Sequence, residues 1–127
     1  MAVVHGVITG VQLVTGNPAG VGAYKGYLIT VNFGVYDSSA DTMDIPDVAA
    51  TIAAHVRNGK TMAMVAGAIP VRAFPGRDTA GNEVHAGTLV ISSDKLTGDL
   101  TDAAQTEPVG DFTASTGVGV FVPILES

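Results

Sequence analysis

The residues able to do chemistry are few and scattered. His5, His55 and His85 are the three imidazoles, and none stands at a short metal-ligand spacing from another. The helical zinc pattern of two histidines four apart with a glutamate between them is absent. Asp78, Asn82 and Glu83 bear oxygens, but an EF-hand loop needs them at alternating positions with a glutamate at its twelfth, so this segment reads as a turn. There is no cysteine nucleophile. Ser115 lies in Thr113-Ala114-Ser115-Thr116-Gly117 and not in a Gly-x-Ser-x-Gly elbow. The glycine-rich run Gly16–Gly26 fails as a phosphate loop, because Tyr24 precedes Lys25 and Gly26 follows it. Paired carboxylates for glycoside hydrolysis want a cleft walled by aromatics, and the chain has no tryptophan and seven other aromatics spread thinly. These residues point to a chain that is not an enzyme and uses no catalytic residue, cofactor or metal.

With no site to position, the elements must serve something else, and the charge pattern says what. The chain has 127 residues, 46% of them hydrophobic, but only 14% charged. Soluble domains usually carry about 25%. The net charge is −6, and of the six basic residues only Arg57 and Lys60 lie close together. A phosphate-binding surface needs clustered cations, so nucleic acid and anionic membrane are disfavoured as partners. The apolar run Met62–Val71 is too short to cross a bilayer. The first residues lack the basic and apolar stretches of a signal peptide. The absence of cysteine removes any disulfide framework and fits assembly in the cytoplasm.

The ionic residues are unevenly placed. Residues 1–36 hold one, Lys25, and residues 112–125 hold none. Interface cores are depleted in charge, so these stretches are expected to be covered by another polypeptide.

Hydrophobic periodicity supplies the elements. Val3–Val14 reads as a strand, and after a turn at Gly16–Gly20 a second strand runs from Ala23 to Tyr36 with Tyr27, Ile29, Val31 and Phe33 on one face. One helix is expected near 46–58: Val48, Ile52 and Val56 recur every four residues. Asp44 is taken as its N-cap, with Asp47 in the first turn and Gly59 beyond its end. Strands resume from Thr61, through Val71–Phe74 and Glu83–Ser93, the latter interrupted at Gly87. Asp94–Gly110 reads as polar loop, most flexible from Asp99 to Asp111. Phe112–Ser115 and Val118–Leu125 close the chain, with Pro70 and Pro123 as edge markers. The whole predicts one mainly β domain over 1–127, an antiparallel sandwich or barrel of jelly-roll type.

The uncharged ends are the candidate protein interface: Val3, Val4 and Val7 at the start, Phe121, Val122, Ile124 and Leu125 at the finish. The last stretch reads equally as a segment added to a neighbour or as an edge strand of its own sheet. In size, lack of cysteine, Gly/Ala/Thr/Val richness, acidic balance and uncharged termini the chain resembles the small decoration, or cement, proteins of tailed phages. The resemblance carries no motif, so it transfers no functional residue. It implies a virion protein on the outer capsid surface that bridges major capsid subunits as a dimer or trimer and stabilises the assembled shell. Trimming residues 1–10 or 118–127 is then expected to abolish particle binding and spare the core. Two alternatives remain: another virion subunit of the tail tube or head completion, or a secreted glycan-binding domain with Tyr24, Tyr27 and Tyr36 as its platform.

Overall fold

The structure is a computed structural model that describes residues 3–15, 24–37, 42–57, 59, 61–65, 70–102, 111–112 and 114–126. In chain order the elements are β1 (Val3–His5), β2 (Val7–Thr15), β3 (Tyr24–Asn32), β4 (Tyr36–Asp37), β5 (Thr42–Ile45), α1 (Val48–Val56), β6 (Met62–Met64), β7 (Val71–Phe74), β8 (Gly76–Arg77), β9 (Glu83–Ser92), β10 (Lys95–Thr101), β11 (Asp111–Phe112) and β12 (Val118–Glu126). The chain is mainly β, as its punctuation by Gly and Pro predicts, with one short helix.

Two five-stranded sheets form the layers. The first runs β1-β5-β10-β9-β8, and the second β2-β3-β12-β6 with β7 also on β12. They do not close on each other, so the sandwich expectation holds and the barrel does not. β4 and β11 make a small separate pair. Pairing is antiparallel except between β1 and β5, which run parallel.

Between the sheets lies the core. From the second sheet come Tyr27, Ile29, Val31, Val118, Val120, Val122 and Ile124, and from the first Met43, Ile45, Val84, Ala86, Leu96 and Leu100. The alternation read in β3 is the one that packs, because successive side chains of a strand face opposite sides. The helix contributes Val48, Ala49 and Ile52 and packs against β6 and β2.

The chain crosses between the sheets at two close-packed glycines. The first stretch is not a single strand: β1 belongs to the first sheet and β2 to the second, and buried Gly6 is the crossing. A Cβ there would stand 2.6 Å from the Phe33 ring and from Val31 Cγ1. β7 and β8 divide likewise across Pro75, and a Cβ on Gly76 would overlap the Thr116 carbonyl oxygen.

Several expectations are corrected. The helix is capped from afar. Asp44 lies in β5, while Asp47 holds the cap position with φ 54° and no side-chain capping bond. The left-handed residue that ends the helix is Arg57 (φ 55°), ahead of Gly59. Within Asp94–Gly110, expected as mostly loop, Lys95–Thr101 is a central strand of the first sheet. β9 runs through Gly87 as one strand, but its pairing with β10 is interrupted there as expected, the register passing from Ala86 to Leu89. Pro123 is not at an edge. It lies in central β12, at the changeover where the neighbouring strand passes from β7, ending opposite Phe121, to β6, starting opposite Ile124. A residue without an N–H costs no ladder bond where the ladder is broken. The turn expected at Gly16–Gly20 and residues 103–110 of the expected flexible segment lie outside the described residues.

Candidate docking face

The two charge-poor stretches of the sequence end up side by side. β2 and β3 come from the first and β12 from the second, and they are consecutive strands of one sheet. Residues directly opposite in an antiparallel pair share a face, so the registers define the outer side. It carries Val7 and Gly10 opposite Asn32 and Thr30, then Gly119 and Phe121 opposite Thr30 and Leu28, then Phe74 and Val71 opposite Gly119 and Phe121. Exposed Gln12, Leu125 and Ala63 complete it, while Pro123 and Gly26 on the same side are buried. Among the described residues, no Asp, Glu, Lys or Arg stands on this side. Lys25 and Arg72 of the same sheet fall in the core-facing rows, opposite Ile124 and Val120.

Large apolar side chains on this face remain in contact with water. Val7 is 63% exposed, Val71 54%, Leu125 48% and Phe74 38%. The Phe74 ring lies over Gly119, where a Cβ would be 2.6 Å from its Cε1. Missing side-chain bulk on one strand is thus filled by an aromatic from the next.

The outer side of the first sheet has the opposite character. His5 and Asp44 stand opposite each other there, with Lys95, His85 and Glu83 on the same side. His5 Nδ1 and Asp44 Oδ1 are 2.5 Å apart, and His85 Nε2 and Glu83 Oε2 3.6 Å. Asp44 is only 6% exposed, so His5 supplies the contact that water otherwise would. Beside this pair is a shallow depression of about 320 Å³ lined by Val3, Asp44, Lys95, Thr97 and Asp99 among others. It holds no serine or cysteine beside the His–Asp pair, and among the described residues no group of three metal-ligating side chains occurs.

The predicted interface residues separate by face. Val7 is 63% exposed on the docking face, Val3 is 49% exposed but on the outer side of the first sheet in the row of His5, and Val4 is half-buried against the core. Leu125 is exposed, and Phe121 half-buried on the outer side. Val122 and Ile124 are fully buried inside the chain's own core and offer a partner nothing. Their strand is hydrogen-bonded on both sides, to β3 and to β6 and β7, so it is neither an edge strand nor an added arm. Sequence reasoning missed Val71 and Phe74, which sit in a segment containing Arg72. The register that turns Arg72 inward and the other two outward is a tertiary fact.

Other candidate groups resolve as structure. Tyr27 is 2% exposed and cannot belong to a glycan platform. The side chains of Tyr24 and Tyr36 lie outside the described ones. Asp78 Oδ1 accepts from the N–H of Ala80 (3.0 Å) and Asn82 (2.9 Å), which holds its turn together. Ser115 is fully buried with no partner for Oγ, and its carbonyl accepts from Phe33 N–H at 2.7 Å. No described helix is long and apolar enough to cross a membrane. Comparison of the chain with protein-family models, with curated proteins and with solved structures yields no match.

Proposed function

We propose that this protein is a non-catalytic structural subunit of a virion that docks on an assembled capsid through the outer face of its second sheet and bridges major capsid subunits. The observation that carries the reading is the asymmetry of the two outer sides, one ionic and one without an ionic side chain among the described residues. Apolar area removed from water contributes about 25 cal/mol per Å², and a face without charge loses no ion hydration when it is covered. The first sheet, with His5, Asp44, Lys95 and Glu83, then faces solvent and keeps the coated particle soluble. Binding to the assembled shell and not to free subunits stabilises the shell by mass action.

The test uses capsids purified from the source cell and stripped of accessory proteins. Co-sedimentation of the full chain with these shells, but not with unassembled capsid subunits, is expected. Val71→Lys with Leu125→Lys places two cations on the docking face at exposed positions, and should abolish co-sedimentation with little change in the unfolding midpoint. Bare shells at saturating protein would overturn the reading. So would rings or tubes formed by the chain alone, or retention on a glycan panel with no binding to shells.

A further inference from the structure

The four sheet edges are not alike. The first sheet ends in β1, three residues long, and in β8, two residues long. One edge of the second sheet is divided between β6 and β7, of three and four residues, with Pro70 and Arg72 at the division. Short strands, proline and charge, beside bulges and a covering helix, are devices by which natural sheets keep an edge from pairing with another chain. The remaining edge, β2, is nine residues long and has neither a proline nor an ionic side chain. Among the described residues it pairs only with β3, and no described strand takes its other side, although α1 touches it. Its register shifts between Ile8 and Gly10 and between Leu13 and Thr15, leaving Gly10–Leu13 as a regular stretch.

We infer that the occupant of this edge is β2 of a second copy, paired antiparallel about a two-fold axis normal to the sheet near Val11. Such an axis is isologous and closes at two copies. Opposite residues then have equal parity, Gly10 facing Gln12 of the other copy, so both uncharged faces lie on the same side. Each copy carries a net charge of −6, yet the seam strand brings no ionic side chain to the contact.

The area gives the dimer its purpose, and this part rests on the docking reading above. Four strands about 4.8 Å apart and nine residues at about 3.3 Å each make a face on the order of 550 Å². Stable interfaces bury about 800 Å² per partner, with a low end near 600 Å². One copy falls short. Two copies joined at β2 present a continuous face on the order of 1,100 Å², which clears the threshold.

The absence of cysteine makes the test direct, because one introduced thiol reports one position. Gln12→Cys should join into a covalent dimer with a short bis-maleimide, while Ala63→Cys on the opposite edge should not. Thr9→Glu with Gln12→Glu, both exposed positions, places four negative charges at the seam. Sedimentation equilibrium should show dimer affinity at least tenfold weaker, with an unchanged unfolding midpoint in dilute solution. A wild-type chain that stays monomeric at millimolar concentration overturns the inference. So does a dimer that crosslinks through Ala63→Cys and ignores the glutamates. Co-sedimentation with stripped shells keeps the two readings apart. A dimer that leaves shells bare supports the edge pairing and removes the docking reading, and a monomer that coats them does the reverse.

Discussion

Asp94 and Ala49 are 45 residues apart, and the carboxylate of the first receives the backbone N–H of the second at 2.8 Å. Its other oxygen takes the N–H of Ala50 at 3.2 Å, and its carbonyl takes that of Val48 at 3.1 Å. A helix start leaves four N–H groups without partners. Here the turn between β9 and β10 satisfies three of them. The helix is therefore tied to the first sheet at its N-terminus while its buried face packs in the core, and Asp47 is left with a left-handed backbone and no side-chain capping bond.

Asp94→Ala should cost roughly 1 kcal/mol, within the range for losing a cap. Asp47→Gly should be neutral or stabilise by up to about 1 kcal/mol, because glycine adopts positive φ without the Cβ penalty. Urea unfolding of both variants checks the pair. A capping role for Asp47, as local sequence suggests, requires the reverse order.

The crossings supply a second prediction. Gly6→Ala pushes a methyl into the Phe33 ring and Val31, side chains with some freedom to shift, and should cost about 1–3 kcal/mol as overpacking. Gly76→Ala meets the Thr116 carbonyl and, at 2.8 Å, the Val118 N, which belong to the backbone. It should cost more than Gly6→Ala. Thermal unfolding of the two variants side by side gives the order.

What was legible in the sequence followed from local pattern. The Tyr27–Phe33 alternation and the Val48–Val56 periodicity needed only strand and helix geometry. The charge-poor stretches were visible as runs, and the structure sets β2 and β3 of the first beside β12 of the second in one sheet, while β1 goes to the other. β10 was hidden because Gly98 stands between buried Leu96 and Leu100 in its core-facing row, so only two large apolar side chains mark the strand among polar neighbours. Asp44 looked like a cap because Asp47 stands three residues on, where an acidic residue suits the first turn. Its burial in β5 depends on His5, 39 positions away. No local rule reports a partner at that distance, and the same holds for Asp94.

The His5–Asp44 contact should show as coupling. A hydrogen bond to a charged group contributes roughly 1.5–3 kcal/mol, and a buried acceptor left alone costs more than an exposed one. His5 is exposed and Asp44 buried, so His5→Ala strands the carboxylate, while Asp44→Ala leaves an imidazole that water can solvate. A double-mutant cycle should return a coupling of about 1 kcal/mol or more, with the double variant less destabilised than the two single effects combined. Additivity would mean that the contact contributes nothing to stability.

Neighbouring residues of β12 separate the core from the docking face. Ile124 is fully buried and Leu125 is 48% exposed on the other side of the sheet. Ile124→Ala should cost about 2–5 kcal/mol, the range for a buried aliphatic truncated to alanine. Leu125→Ala should cost under about 1 kcal/mol, as surface changes do, yet weaken shell binding. The same geometry corrects the expected effect of trimming the C-terminus. Removing residues 118–127 takes out the strand that β3, β6 and β7 all pair with, so circular dichroism should show an unfolded chain in place of a folded non-binder. Removing residues 1–5 takes β1, which among the described residues pairs only with β5, and His5 with it; the cost falls on Asp44 in the first sheet and should leave the second sheet and its outer face in place. Shell binding retained by the N-terminal truncation and lost by Leu125→Ala would assign docking to the sheet face and not to the chain ends.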